Sequence, residues 1–221
     1  MRRIIGAGFV SLDGVMQAPG GPDEDPTGGF RLGGWLFDYF DEAVGKRIDA
    51  LFGGDFDLLL GRRTYDIFTA YWPFVEGEDS GLGARFDRAA KYVLTRGEQR
   101  LAWQNSHRLT SLDALADVKS GEGPDLIIQG STTLYPQLLA AGLIDRLILM
   151  TFPLVLGRGK RLFGEGTVPR SMRMVEHEVT PGGAVLATYE PAGDVEPGSF
   201  PTIEPTAAEL ERRARIAQGA W

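Results

Sequence analysis

Four short apolar runs constrain this chain more than any other feature: Asp57–Gly61 (DLLLG), Lys91–Thr95 (KYVLT), Asp125–Gln129 (DLIIQ) and Leu147–Phe152 (LILMTF). Their apolar residues are continuous rather than alternating, which is the pattern of strands covered on both faces. Segments with helical spacing stand between or beside them: Thr64–Tyr71, Leu112–Lys119 and Thr132–Ala141, the last ended by Gly142. Strands joined in this way pair in parallel, with the connecting helices packed on the two faces. An earlier strand, Arg3–Leu12, carries Ile4, Ile5, Phe9 and Val10. Near the end, Met172–Thr180 and Ala184–Glu190 flank Pro181-Gly182-Gly183, a hairpin signature. The expected fold is α/β: a mostly parallel twisted sheet, helices on both faces, and a C-terminal antiparallel hairpin.

The remaining stretches are read against that frame of strands. Residues 17–34 (QAPGGPDEDPTGGFRLGG) are crowded with glycine, proline and acid, so a functional lid or a disordered loop is expected. Residues 35–52 repeat Leu36, Phe40, Val44, Ile48 and Leu51 at helical spacing, and Gly53-Gly54 ends that helix. Thr110 and Asp113 have the spacing of a capping box. One domain over 1–190 is expected, then a Pro, Gly and acid-rich linker over 191–205. A helical appendage over 206–221 follows, opened by a Thr206–Glu209 capping box and striped by Ala207, Leu210, Ala214 and Ala217.

Composition removes several classes of function. A chain of 221 residues buries roughly 70% of its unfolded surface and needs no staple. There are no cysteines, which excludes disulfides, thiolate metal sites and cysteine nucleophiles. His107 and His177 are the only histidines, so a multi-histidine metal site is not expected, and neither sits in a hydrolase triad context. No apolar run approaches the roughly 20 residues of a membrane span, and the start MRRIIGAGFV lacks a cleavage-site pattern. A net charge of −7 argues against nucleic acid as partner. A cytoplasmic protein that binds a small molecule is the expectation.

The chemistry concentrates where the strands stop. In an open parallel sheet, ligands sit beyond the carboxyl ends of the strands, where helix N-termini present free N–H groups. Gly61 is followed by Arg62, Arg63 and Thr64; Thr95 by Arg96; Gln129 by Gly130, Ser131, Thr132 and Thr133. Any one of these turns also fits a solvated loop or a helix cap. Together they supply small residues, hydroxyls and cations, which is what a dinucleotide diphosphate and a 2′-phosphate require. NADP(H) is therefore preferred over NAD(H), although no G-x-G-x-x-G fingerprint is present.

With these residues in view, the chain resembles the dihydrofolate-reductase-like superfamily. The nearer likeness is to the C-terminal reductase domain of bifunctional riboflavin deaminase/reductases and its stand-alone relatives. It covers residues 1–190 and rests on SLDG (Ser11–Gly14), GRRTYD (Gly61–Asp66), VLTR (Val93–Arg96), IIQGSTTLYPQLL (Ile127–Leu139) and PLVLGRGKRLF (Pro153–Phe163). The last matches a family pattern, P-[VL]-[LV]-L-G-x-G-x-x-L-F. The resemblance implies a dihydrofolate-reductase-like sheet carrying NADPH across its carboxyl edge. Arg62, Arg63 and Thr64 would hold diphosphate or 2′-phosphate, Thr95 and Arg96 the adenosine end, and Gly130, Ser131 and Thr132 the diphosphate. The implied activity is NADPH-dependent reduction of a small flat pyrimidine- or pterin-like substrate, as in 5-amino-6-(5-phosphoribosylamino)uracil reductase of riboflavin biosynthesis. Two positions depart from that pattern: Ala7 replaces a lysine of the first strand, and Gln129-Gly130-Ser131 replaces Glu-Gly-Gly.

Reduction of a polar double bond also needs a proton source. Asp13 at the first strand–loop junction is one candidate, and it equally suits a tight turn. Asp38 resembles in position the helix acid of dihydrofolate reductases, with Asp41 open by spacing. Phe30, Trp35 and Tyr39 are candidates for stacking on a flat substrate, with core packing as the alternative. Gly157–Lys160 lacks a Walker pattern, and the resemblance implies that this turn shapes the substrate pocket. A homodimer through Leu147–Leu156 and the hairpin is expected, since related domains often dimerise. A non-catalytic NADP(H)-binding module and a dihydrofolate reductase proper remain as rivals.

Overall fold

The structure is a computed structural model that describes residues 1–200 and 204–219. Its strands are β1 (Ile4–Ser11), β2 (Phe56–Gly61), β3 (Lys91–Leu94), β4 (Ser106–Leu109), β5 (Asp125–Gln129), β6 (Arg146–Phe152), β7 (Met172–Val179) and β8 (Val185–Pro191). The helices are α1 (Glu42–Phe52), α2 (Arg62–Tyr71), α3 (Ser80–Arg88), α4 (Leu112–Ser120), α5 (Leu134–Ala140) and α6 (Ala207–Ala217). The strands form one eight-stranded sheet in the order β4-β3-β2-β5-β1-β6-β8-β7. All pairs from β4 to β6 are parallel, and β8 runs antiparallel to both β6 and β7.

The continuous apolar runs serve both faces because successive strand side chains point to opposite sides. Leu58, Leu60, Val93 and Ile127 face Phe52 of α1, Phe68 of α2 and Phe86 of α3. Leu59, Leu126 and Ile128 face Leu115 of α4 and Leu134 and Leu138 of α5. A third cluster joins Val15, Phe30, Trp35 and Leu36 to Met150, Phe152 and Leu186 at the antiparallel side.

Several boundaries differ from the sequence reading, each for a local reason. The helix expected over 35–52 begins only at Glu42, because Asp41 caps it by accepting the Val44 N–H (3.1 Å). Phe37–Tyr39 ahead of it is a separate 3₁₀ turn. The cap of α4 is Ser111, which accepts the Ala114 N–H (3.1 Å), not Thr110. Helix α5 starts at Leu134, two residues later than expected, because Gly130 and Ser131 both have positive φ (73° and 60°). Helix α3 and strand β4 were not legible. The first is held by Phe86, whose ring lies 4.9 Å from Phe52 and 4.7 Å from Trp72. The second is a four-residue edge strand on which His107 is exposed and stacks on Tyr92 (5.2 Å).

The loop over 17–34 is neither lid-like nor disordered but packed. Buried Gln17 accepts the Lys160 N–H (2.9 Å) and donates to the carbonyls of Asp25 (2.8 Å) and Thr27 (2.9 Å). Lys160 pairs with Asp25 and donates to the Thr27 hydroxyl (2.7 Å). Burial alone would raise the Asp25 carboxyl, but its bonds to Lys160 and Thr27 hold it below the ordinary range. Gly159 closes the seam: a Cβ there would stand 2.5 Å from Val15. Of the expected 191–205 linker, 201–203 lie outside the described residues, as do 220–221 of the appendage. Helix α6 is capped by Thr206 (Glu209 N–H to Oγ1, 3.3 Å) and has no buried residue. No helix among the described residues is long and apolar enough to cross a membrane.

Candidate functional site

The carboxyl edge of the sheet splits at β5. Its pairing with β2 ends at Leu58↔Ile127, although β2 continues to Gly61 beside β3. Its pairing with β1 ends at Ala7↔Gln129, although β1 continues to Ser11 beside β6. Two crevices therefore open beyond the end of β5, at the point where the strand order reverses and ligands settle in open sheets.

The first crevice, toward β2, is tied by the Gly130–Ser131 turn. The Ser131 N–H donates to Thr64 Oγ1 (3.0 Å), and Ser131 Oγ accepts the Gly61 N–H (2.9 Å). A side chain on Gly130 would stand 3.2 Å from Thr64, which together with its φ of 73° requires glycine. Ser131 holds a left-handed conformation that costs a serine energy, and its two bonds to the α2 turn over-determine it. The turns after β2 and β5 are thus one unit. Both hydroxyls act as acceptors within it and keep their protons for donation.

This unit borders a cavity of about 490 Å³ lined by Gly61, Arg62, Arg63, Asp66, Leu94, Thr133, Leu134 and Gln137. The cations around it are not equivalent. Arg62 is occupied: it pairs with Asp66 (2.8 Å) and donates to the Gln99 carbonyl (2.9 Å), clamping the loop after β3. Arg63 and Arg96 are exposed and make no side-chain hydrogen bond or ion pair among the described residues. Thr95 is turned inward, accepting the Gly97 N–H (3.1 Å). Thr132 is half-buried and makes no side-chain bond among those residues. The chain therefore brings Gly61, Arg62, Arg63, Thr64, Gly130 and Ser131 to one edge, with Thr95 and Arg96 on the neighbouring strand end.

The second crevice ends at Gln129, one of the two departures from the family pattern. Its Oε1 is buried and without a donor; among the described residues only Thr69 Oγ1 shares that condition. The signal was present, since a glutamine directly follows the apolar run Leu126–Ile128.

The other candidate residues do different work. Asp13 accepts from Ser11 Oγ (2.7 Å) and from the N–H groups of Leu156 (3.0 Å) and Gly157 (2.9 Å), with Arg161 at 3.4 Å. The Ser11 hydroxyl first, then the Leu156 amide, hold its carboxyl down to about 2. With its carboxylate committed to these partners, Asp13 joins the turn after β1 to the turn after β6. Asp41 caps α1 and accepts the Gly182 N–H (3.0 Å); the Thr180 hydroxyl and then the Val44 amide keep it below the ordinary range. Asp38 is exposed in the 3₁₀ turn with no partner among the described residues. Phe30 and Trp35 are buried in the third core cluster, and Trp35 Nε1 donates to the Gln17 carbonyl (2.8 Å). They hold the 17–34 loop and are not positioned as a stacking platform. Tyr39 is half-buried beside them, whereas Phe37 and Phe40 of the same turn are exposed.

The sequence profile of the RibD C-terminal domain matches residues 2–186. The chain belongs to the RibD C-terminal domain family. It is similar to the uncharacterized protein YyaP of Bacillus subtilis, 28% identical over 198 residues, spanning 85% of this chain and 94% of that protein. In three dimensions it is similar to a putative riboflavin biosynthesis protein from Shewanella (TM-score 0.60, 20% identity, 86% of this chain and 99% of that one). A pyrimidine reductase-like protein of Corynebacterium diphtheriae follows (TM-score 0.57, 15%, 87% and 93%). Dihydrofolate reductase of Enterococcus faecalis in complex with NADP(H) is also similar (TM-score 0.53, 14%, 86% and 96%). The fold of this family member is thus dihydrofolate-reductase-like, with an antiparallel C-terminal side.

Proposed function

We propose that this protein is an NADPH-dependent reductase of a small, flat, pyrimidine- or pterin-like substrate, resembling 5-amino-6-(5-phosphoribosylamino)uracil reductase of riboflavin biosynthesis. The observation that carries the reading is the division of labour at the carboxyl edge. Thr64, Ser131 and Arg62 hold the turns together, while Arg63 lines a cavity of about 490 Å³, and Arg63, Arg96 and Thr132 at these strand ends have no partner among the described residues. Unpaired cations and a hydroxyl along one sheet edge suit a diphosphate and a 2′-phosphate.

Bound there, NADPH would supply a hydride, and the chain's own residues would orient it and its acceptor. Arg63 and Arg96 would neutralise phosphate charge, and Gly130 would let the backbone approach closely. Asp38, the one candidate acid without a side-chain partner among the described residues, would supply the proton. Phe37 and Phe40 would flank the entering ring in place of Phe30 and Trp35.

One observation favours a second reading, a non-catalytic NADP(H)-binding module: both Asp13 and Asp41 are committed to structure. The test is tryptophan fluorescence titration with NADPH, followed by NADPH oxidation against dihydrofolate and 5-amino-6-substituted uracils. Turnover of any of these supports the reductase; tight NADPH binding with no turnover across the panel supports the module. Of the expected dimer surface, Leu147–Phe152 is paired on both sides by β1 and β8, which leaves the hairpin and its exposed edge strand β7; a homodimer across β7 belongs to the same proposal and is tested by light scattering.

A further inference from the structure

The side chain of Gln129 stands where the sheet divides, and it is unfinished. Its face is the one shared with Ile127, because strand residues two apart point the same way. That face carries Ala7, Leu58 and Leu60, with Ile48 and Ile148 packed against them. None of these side chains can donate a hydrogen bond. Ala7, directly opposite in register, ends the pairing of β1 with β5, and the chain after Gln129 turns away at Gly130. The buried Oε1 therefore finds no donor within the fold. A buried acceptor left unpaired costs on the order of 1–3 kcal/mol, and a donor entering the crevice would recover it.

We infer that Gln129 is a specificity-determining residue of this site, reading the amide N–H edge of a neutral bound ring. This rests on the reductase reading above and narrows its substrate class. A primary amide both accepts and donates, so it matches a lactam, which presents an N–H and a C=O side by side. A carboxylate only accepts, and its charge favours a cationic partner. Glutamine in an apolar crevice selects an uncharged lactam, such as the edge of a uracil or a pterin. The same N–H chemistry exists in the carboxamide of the nicotinamide ring, and the experiment separates the two sources.

The variants are Gln129→Met, which keeps length and removes both functions, and Gln129→Glu, which keeps an acceptor and loses the donor. The probes are NADPH, its 3-acetylpyridine analogue (methyl in place of the carboxamide NH₂), 5,6-diaminouracil and its 1,3-dimethyl derivative. For a lactam contact, wild type prefers 5,6-diaminouracil over the dimethyl form by about tenfold, the worth of one buried hydrogen bond. Gln129→Met abolishes that preference with NADPH affinity unchanged, and Gln129→Glu weakens 5,6-diaminouracil binding. For a carboxamide contact, the lost preference is instead between NADPH and its acetylpyridine analogue. In either case the unliganded Gln129→Met protein melts no lower than wild type, since a merely structural glutamine would lower it. A wild type that binds NADPH normally, with both preferences unaltered by Gln129→Met, overturns the inference and leaves the reductase reading standing. A wild type that binds no NADPH overturns both.

Discussion

The two halves of the carboxyl edge are built from the same kinds of residue and differ in how those residues are spent. On the β1–β6 side, Asp13, Gln17, Asp25, Lys160 and Arg161 are all paired with one another or with backbone, and the loop over 17–34 is locked down by them. At the ends of β2, β3 and β5, Arg63, Arg96 and Thr132 have no partner among the described residues, and Gln129, where β5 parts from β1, keeps a buried acceptor open. Charge and polarity alone do not mark a site. The distinction is satisfaction: a scaffold closes its hydrogen-bond accounts internally, and a binding edge leaves them for a ligand.

That contrast is easiest to break at the cations. Replacing Arg63 or Arg96 by alanine is expected to weaken NADPH binding about tenfold each and about a hundredfold together, with the melting temperature unchanged. Fluorescence titration and thermal melts of the same samples check it. If Arg62→Ala proves as costly to affinity as Arg63→Ala, the division into clamp and ligand residues is wrong.

On the satisfied side the expected effect is on stability instead. Asp13→Ala removes the acceptor of the Leu156 and Gly157 amides and is expected to cost about 1–3 kcal/mol, a fall of several degrees in melting temperature, with NADPH affinity within twofold of wild type. Because its folded pKa is depressed, wild-type Asp13 contributes stability that is present above the ordinary carboxylate range and lost as pH falls toward about 2. Melting curves of the variant should therefore be less sensitive to acid than those of wild type.

A smaller effect is expected at the opposite edge of the sheet. Lys91 is fully buried, donating to the carbonyls of Asp87 (2.8 Å) and Ala89 (2.9 Å) and lying 4.2 Å from the Trp103 ring. Burial lowers its ammonium from 10.5 to about 8. Below that value the folded state carries the full desolvation cost; between about 8 and 10.5 the unfolded chain binds more protons, so stability rises with pH. Denaturant melts across this range should show the rise in wild type and lose it in Lys91→Met.

How much of this was legible in the sequence follows from how local each cause is. Leu58–Leu60, Ile127–Ile128 and Leu147–Phe152 announced a sheet covered on both faces, because burial on two sides removes the alternation of polar and apolar residues. The glycine, arginines and hydroxyls at the strand ends announced only their convergence, since topology puts parallel strand ends on one edge. Helix α3 stayed hidden because its support is Phe86 among aromatics of distant segments, and β4 because four residues carry too little periodicity. Only the folded chain could decide which of two adjacent arginines is a clamp, that Asp13 serves a seam rather than a reaction, and that Phe30 and Trp35 hold a loop. Each of those outcomes turns on partners far away in sequence. Residue type fixes what a side chain is able to bond, and tertiary structure fixes whether anything within reach has already bonded it.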